Sequence, residues 1–300
     1  MKKKTYLFAL MAMALTLGSC SNNEDGIGGE TSKYITVSTS IGNMTRVATD
    51  AKGGQTFEEG DEISVYAWTG APTVAPETSE RVVNNAINKL TNGSWISTPQ
   101  MLWKNNREKH YFIGVYPTAA ISDLSAGEYT FDANKQTESD LLVAVNPDGL
   151  SYSADAQQTV PLTFTHVMAK LAVNLTYKNQ WGGIPTVEKV VVGNAAKEAT
   201  INYLTKVVTP STTAKEDFSL PEITENTKYV SVIIPQEDVK QLTIVIGGKN
   251  FVYDNGTPFK LESGKITTVN LEVGRDEIKL GDVKITNWED GSTFSGEALN

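Results

Sequence analysis

The stretch KYITVSTSI, at residues 33–41, alternates between apolar and small polar side chains. Ile35, Val37 and Ile41 fall on one face, and hydroxyl side chains fall on the other. Because successive side chains of a strand point to opposite faces, this stretch is predicted to be a strand with one buried face. The same period, carried by β-branched and aromatic residues, recurs at residues 63–68, 111–115, 170–177, 230–234, 242–246 and 269–273.

Glycine-containing dipeptides separate these runs and predict turns. They are Asn92-Gly93, Asp148-Gly149, Gly182-Gly183, Gly247-Gly248, Asn255-Gly256 and Ser263-Gly264. No window keeps a helical period long enough for a helix. The pattern therefore predicts an all-β chain of sandwich type.

The length of 300 residues exceeds what one hydrophobic core usually organises, which favours two domains. A polar stretch at residues 152–158 precedes a new apolar run that begins at Pro161. We therefore predict an N-terminal β-sandwich over residues 33–160 and a C-terminal β-sandwich over residues 161–300.

The chain begins with three lysines, an apolar run at residues 6–17 and small residues up to Ser19. The run is shorter than the ~20 residues that span a bilayer, so residues 1–19 are predicted to be a signal peptide. Cys20, the only cysteine, follows at once, and this order resembles the lipobox of bacterial lipoproteins. The resemblance implies cleavage between Ser19 and Cys20 and a lipid on Cys20; the alternative is a free thiol. Residues 20–32 are polar and glycine-rich, as in a flexible tether.

The formal net charge is −9, and it becomes more negative once the lysines of the signal are removed. Such acidity disfavours nucleic acid and anionic membrane surfaces as partners. Because no cysteine follows Cys20, disulfides within the chain and thiolate metal sites are excluded.

The residues that usually carry chemistry form no convincing set. His110 and His166 lie on different predicted strands without a partner at metal-ligand spacing, so both are interpreted as structural. Residues 57–62 collect four carboxylates, for which a solvated turn is favoured over a calcium loop or an acid–base pair. The five tryptophans are scattered and are predicted to pack in the core rather than stack on sugars. We predict no enzyme activity, no cofactor and no metal.

Several strings, in this order, resemble one family. They are Thr45-Arg46, FEEGDEI at residues 57–63, Tyr116-Pro117, SDLL at 139–142, FTHVMAKL at 164–171, Ile234-Pro235-Gln236, Ser263-Gly264-Lys265 and ITNWEDG at 285–291. The ordered set, together with the lipobox, is similar to the fimbrillin family of Bacteroidetes, the Mfa-like pilins of type V pili. The resemblance covers nearly the whole chain.

The resemblance implies two transthyretin-like β-sandwich domains in a polymerising surface protein. It implies export as a lipoprotein to the outer membrane, cleavage after an arginine by a trypsin-like surface protease, and assembly with other pilin subunits into a fimbrium. Arg46 matches the cleavage position, which makes Arg46–Val47 the bond that is cut. The alternative is an ordinary surface arginine.

Cleavage would release residues 33–41 and uncover the groove that holds Ile35, Val37 and Ile41. Burying each of these side chains contributes roughly 1.5–3 kcal/mol, so their loss weakens the subunit substantially. An open groove with a bare strand edge is a template for a strand from another subunit.

The C-terminal region is the predicted source of that strand. Ile278 and Leu280 alternate, Gly281 resets the parity, and Val283 and Ile285 alternate again, which predicts a bulge. The candidate donor strand therefore lies within residues 278–299. The alternative is a last strand that stays in its own domain.

The leading prediction is a structural fimbrial subunit that supports cell adhesion. The alternative is a monomeric surface-anchored lipoprotein that binds a glycan or a host ligand. A hydrolase is disfavoured because no nucleophile–base pair or metal constellation is present in the sequence.

Overall fold

The computed structural model describes residues 33–42, 56–153, 158–254 and 256–288. Nineteen strands and two short 3₁₀ helices, Thr78–Glu80 and Asn179–Trp181, make up its regular structure. The strands are β1 (Thr36–Ile41), β2 (Glu62–Thr69), β3 (Val83–Thr91), β4 (Ser94–Thr98), β5 (His110–Tyr116), β6 (Gly127–Thr130), β7 (Leu142–Leu150), β8 (Thr159–His166), β9 (Ala169–Tyr177), β10 (Val187–Ala196), β11 (Glu198–Asn202), β12 (Val207–Pro210), β13 (Lys215–Ser219), β14 (Glu222–Thr224), β15 (Lys228–Ile233), β16 (Gln241–Ile246), β17 (Lys249–Asp254), β18 (Lys265–Val273) and β19 (Ile278–Asn287). The all-β prediction is confirmed.

The first half of the chain forms one seven-stranded sheet in the order β1-β8-β7-β5-β2-β3-β4. Its central strands are buried on both faces. In β2, Val65 belongs to a core enclosed by this sheet, whereas Tyr66 belongs to the core shared with the second half. This is why residues 63–68 are apolar at nearly every position rather than only at alternate ones.

Turn chemistry fixes the register of the hairpins. Asn92 and Gly93 join β3 to β4 with φ values of +49° and +72°. A two-residue turn with both φ values positive matches the right-handed twist of the strands that it connects. Gly247-Gly248 joins β16 to β17 in the same way, with φ values of +59° and +73°. The turns predicted at these two dipeptides are confirmed.

The second half is a sandwich of two sheets. One has the order β14-β15-β9-β18-β19, and the other has the order β13-β10-β16-β17. The facing sides meet in a core to which β9 contributes Leu171, Val173 and Leu175, each at most 4% exposed. Alternate apolar residues on both sheets fill this layer, as in sandwiches generally.

A third, small sheet joins the two halves. Its order is β12-β11-β6, so β6 from the first half pairs with β11 from the second, and Ala199 lies opposite Tyr129. The larger of the two hydrophobic clusters runs across the same boundary, because it contains Trp68 and Val143 as well as the sandwich core. The two halves are therefore held together by both backbone pairing and burial.

Asp148-Gly149 does not separate strands: it lies inside β7, where Gly149 has a φ of +64° and a Cβ atom would stand 2.7 Å from the Tyr111 ring. The glycine permits an irregularity within the strand rather than a turn between strands.

The strand β8 runs across residue 160 and pairs within the seven-stranded sheet, so the chain passes to the next sheet after His166. No helix in the described part of the chain is long and apolar enough to cross a membrane.

Candidate assembly site

The first strand, β1, is the end strand of the seven-stranded sheet and runs parallel to β8. Val37 lies opposite Val160, and Ile41 lies opposite Phe164. Ile35 and Val37 are 3% and 7% exposed in the core of the sheet, and Ile41 packs against the same core while partly exposed. The apolar face predicted from the alternation is thus the buried face of this strand.

The N-terminal end of β1 is held on both sides. Ile35 N–H donates to Met101 O over 2.9 Å, and Trp103 N–H donates to Lys33 O over 3.2 Å. The segment before β5 thereby forms a short antiparallel bridge with the residues that lead into β1. The beginning of the strand is more securely attached than its position at the end of the sheet suggests.

Farther along, β1 faces β4 across a seam where the sheet curls back on itself. The contact is made by side chains: Trp95 Nε1–H donates to Thr39 Oγ1 over 3.0 Å. Phe57 packs edge-on against Trp95, with ring centroids 5.3 Å apart. A cleft of about 730 Å³ opens beside the seam, and its lining, which includes Ile96, is uncharged. This part of β1 is held on its outer side by side chains rather than by backbone pairing.

The predicted donor strand corresponds to β19, the end strand of the other large sheet. Its pairing with β18 shifts register at Gly281, because Leu271 faces Leu280 and Asn270 faces Asp282. The bulge predicted from the change of parity is therefore confirmed.

The apolar side chains of β19 are only half covered. Leu280, Val283 and Ile285 are 38%, 37% and 38% exposed, although they lie opposite β18 residues that are almost fully buried. Ile278 is partly buried at the start of the strand. Since the outward-facing side of β19 is polar, this strand presents one apolar row that its own molecule does not fully use.

The C-terminal end of β19 is fixed by Trp288, which is 6% exposed. Its ring stacks on His166 at a centroid distance of 4.1 Å. Lys170 Nζ lies 4.1 Å from the centroid of the Trp288 ring. His166 Nδ1 is 2.8 Å from Asp140 Oδ1. Burial lowers the pKa of Lys170 to about 8, and the Asp140 carboxylate opposes that shift.

The other histidine, His110, is also structural. It is fully buried at the start of β5, where Lys104 N–H donates to its Nε2 atom over 3.0 Å. Burial lowers its pKa from the ordinary value. Within the described ranges, no group of three His, Cys, Asp or Glu side chains could hold a metal ion.

The carboxylates at residues 58–62 shape a turn. Asp61 Oδ2 accepts the Glu58 N–H over 2.7 Å, and Glu59 Oε1 accepts the Asn92 N–H over 2.8 Å. Asp61 thus satisfies a backbone donor before β2 begins, and Glu59 satisfies one in the turn between β3 and β4, which supports the interpretation as a turn.

The remaining predicted site residues lie outside the described residues. They are Ser19, Cys20, Arg46, Val47 and the part of the candidate donor region at residues 289–299. In the structure, β1 is the end strand of the seven-stranded sheet, and β19 is the end strand of the five-stranded sheet. The Trp288 contacts were not predicted as a site. Their signal in the sequence was limited to the strings FTHVMAKL and ITNWEDG, which carry all the ring and lysine partners.

Comparison with known proteins gives a consistent result. The model of the fimbrillin-like family matches residues 45–288. No curated protein matches the sequence. A proposed cell adhesion protein of Bacteroides ovatus superposes with a TM-score of 0.63 at 18% identity, over 85% of this chain and 98% of that one.

Two further solved structures are similar. A proposed cell adhesion protein of Bacteroides uniformis gives a TM-score of 0.59 at 17% identity, over 85% of this chain and 99% of that one. A fimbrial protein of Bacteroides vulgatus gives 0.51 at 13% identity, over 84% and 99%. At these identities the likeness concerns the fold.

Proposed function

The chain belongs to the fimbrillin-like family, and from that premise we propose that it is a pilus subunit activated by proteolysis and assembled by exchange of a strand. The family consists of structural fimbrial and adhesion proteins rather than enzymes, so the function of the chain rests on its surfaces and strands. The proposal names β1 as the strand that is removed and β19 as the strand that is given to a neighbour.

The processing step is proposed at Arg46–Val47. The region that matches the family begins at Thr45, so β1 lies outside it. A cut after Arg46 by a trypsin-like surface protease would separate β1 from the rest of the chain. Because β1 is the end strand of its sheet, it can leave without passing through another strand.

Removal of β1 would expose an apolar groove along β8. The positions vacated by Ile35 and Val37 adjoin the buried side chains Val160, Leu162 and Phe164 of the same core. Exposing that apolar surface to water costs a free energy of roughly 25 cal/mol per Å². A strand with alternating apolar side chains would cover it and also pair with the free backbone edge of β8.

The proposed donor is β19. Its row of Leu280, Val283 and Ile285 is more than one-third exposed in the intact molecule, so moving it into an apolar groove gains burial. The bulge at Gly281 keeps these side chains on one face despite the change of parity. Partners of the chain are then other pilin subunits, of the same or another kind.

Delivery to the surface is proposed to depend on Cys20. A lipid on this cysteine would hold the precursor on the outer membrane until cleavage after Arg46 releases it into the fimbrium. Replacing Cys20 with Ala removes the only sulfur that could carry a thioether-linked lipid. The Cys20→Ala variant is expected to lose acyl labelling, and Ser21→Ala is expected to keep it. Labelling of the Cys20→Ala variant would contradict the lipid assignment.

The observation that carries the proposal is a terminal strand whose apolar face is buried and whose residues precede the matched family region. The test is Arg46→Ala in cells, with Arg107→Ala, at an exposed loop arginine, as the control. The Arg46 variant is expected to accumulate with its N-terminal strand intact and without filaments in electron micrographs. The control is expected to be cut and to assemble. Normal filaments from Arg46→Ala would contradict the proposal.

The second candidate is a monomeric surface lipoprotein that binds a glycan or host ligand. The cleft beside the seam favours it, because Trp95 and Phe57 line an uncharged depression there. This function requires that β1 stay in place. N-terminal sequencing of the protein extracted from the cell surface distinguishes the two, since a start at Val47 supports the pilus subunit and retention of residues 33–41 supports the ligand-binding protein.

A further inference from the structure

Residues 101–104, here called the clasp, connect the start of β1 to a buried histidine. Met101 and Trp103 make the two backbone hydrogen bonds to the segment at residues 33–35. The next amide, that of Lys104, donates to His110 Nε2 over 3.0 Å. The clasp is thus bonded to β1 through one pair of residues and to His110 through the residue that follows.

Both ring nitrogens of His110 are engaged. Because Nε2 accepts a backbone N–H, it carries no proton, and Nδ1–H then donates to Glu108 O over 3.2 Å. The ring is fully buried, and Trp103 packs edge-on against it with centroids 5.0 Å apart. This hydrogen bonding fixes the neutral imidazole.

Burial is the largest influence on the charge of His110. Glu108 favours the charged ring and Lys104 opposes it, and both belong to the loop that precedes β5. From β7, the backbone of Leu150 also favours the charged ring, and the opposite residue on β2 is the uncharged Thr69. Desolvation outweighs these contributions and lowers the pKa of His110 from its ordinary value of 6.5.

We propose that neutral His110 keeps the clasp attached to β1, and that protonation of His110 loosens the clasp and frees the beginning of the strand. A proton on Nε2 would point at the Lys104 N–H, so that two donors face each other and the hydrogen bond is lost. The Lys104 amide must then move, and the bridge between the clasp and residues 33–35 moves with it.

The direction of the effect follows from the lowered pKa. The folded chain binds the proton more weakly than the unfolded chain does, so the attachment of β1 by the clasp is intact above about pH 6.5. It weakens as the pH falls from there through the pKa of the folded state. If the proposed function holds, acid makes β1 easier to release; the loosening itself occurs in the uncleaved chain and does not depend on that function.

The experiment measures amide hydrogen exchange in the uncleaved full-length chain at pH 8 and pH 5, corrected for intrinsic exchange. The protection factors of the Ile35 and Trp103 amides are expected to fall about tenfold at pH 5, because protonation of His110 favours the opened clasp. The Phe131 amide, which donates to Lys197 O in the small sheet, serves as the internal control and is expected to keep its protection. Equal protection of Ile35 at the two pH values would overturn the proposal.

Two variants separate the histidines. In His110→Gln, an amide oxygen can accept the Lys104 N–H but cannot be protonated, so the response of Ile35 is expected to disappear. In His166→Gln it is expected to remain. A response that persists in the first variant, or disappears in the second, would overturn the proposal.

A measurement on the wild-type chain covers the case in which His110→Gln does not fold. The His110 ring is titrated by NMR, and its midpoint is expected to coincide with the midpoint of the loss of protection at Ile35. Different midpoints would overturn the proposal. Because the chain is uncleaved throughout, failure here leaves the cleavage proposal untouched, and failure of the Arg46 experiment leaves this one untouched.

Discussion

Trp288 stacks flat on His166, with planes 6° apart and centroids separated by 4.1 Å. His166 ends β8, the strand beside β1, whereas Trp288 follows β19. The end of the proposed donor strand is therefore attached to β8, the strand that lines the proposed acceptor groove.

Replacing Trp288 with Ala is expected to destabilise the chain and to loosen β19. Loss of a buried aromatic ring usually costs about 3–5 kcal/mol, and here the His166 stack and the Lys170 contact are lost together. Urea unfolding measures the first effect, and hydrogen exchange of the β19 amides measures the second. Trp288→Phe keeps a ring and is expected to lose less than half as much stability. Unchanged exchange in β19 with Trp288→Ala would show that the ring does not fix the strand.

The stability of the chain is expected to depend on Lys170 above neutral pH. Its pKa is about 8 in the folded state because of burial, against 10.5 ordinarily, so the unfolded chain holds more protons between these values. Stability contributed at this position therefore rises with pH from about 8 upward, by at most about 1.4 kcal/mol per pH unit. The measurement is the difference in unfolding free energy between wild type and Lys170→Met from pH 7 to pH 9.5. A difference that is constant with pH would contradict the lowered pKa.

The buried face of β1 is expected to dominate its contribution to the uncleaved subunit. Ile35→Ala should lower the free energy of unfolding by about 2–5 kcal/mol, because the side chain is 3% exposed. Ser38→Ala, on the exposed face of the same strand, should change it by less than about 0.5 kcal/mol. Denaturant titration of both variants makes the comparison. Similar values for the two would show that the core does not depend on β1.

The apolar row of β19 is expected to matter more for assembly than for the monomer. Val283→Asp places a charge on a side chain that is 37% exposed, so the isolated molecule tolerates it, but an apolar groove does not. Lys284→Asp introduces the same carboxylate on the opposite face of the strand and serves as the control. Filament length is measured by electron microscopy, and folding by thermal unfolding. If both variants assemble equally well, β19 is not the strand that enters the groove.

The sequence predicted the strands better than it predicted their environment. The alternation at residues 33–41 correctly identified the buried face of β1, since Ile35 and Val37 enter the core. In β2, the same period suggested one covered face, yet Tyr66 and Trp68 on the other face are also buried. The local pattern predicts which residues share a face of a strand, but only packing against a second layer decides how many faces are buried.

Contacts between distant residues could not be predicted. The pairing of β6 with β11 joins residues 127–130 to residues 198–202, and no local signal marks strands for partners so far apart. The same holds for the stack of Trp288 on His166, because no local signal marks either residue for the other. The parity change at Gly281 was predicted correctly because a bulge leaves a signal in one strand alone.

The placement of β1 and β19 in separate sheets limits the geometry of any contact between them in different molecules. A surface that meets an unlike surface joins copies head to tail, and such a contact produces an open fibre wherever the rotation between copies does not close a ring. Each added molecule uses one such surface and offers the other, and the two ends of the resulting chain of molecules are never equivalent. Growth by this contact has a built-in polarity, and a molecule lacking one of the two surfaces can only start a fibre or finish it.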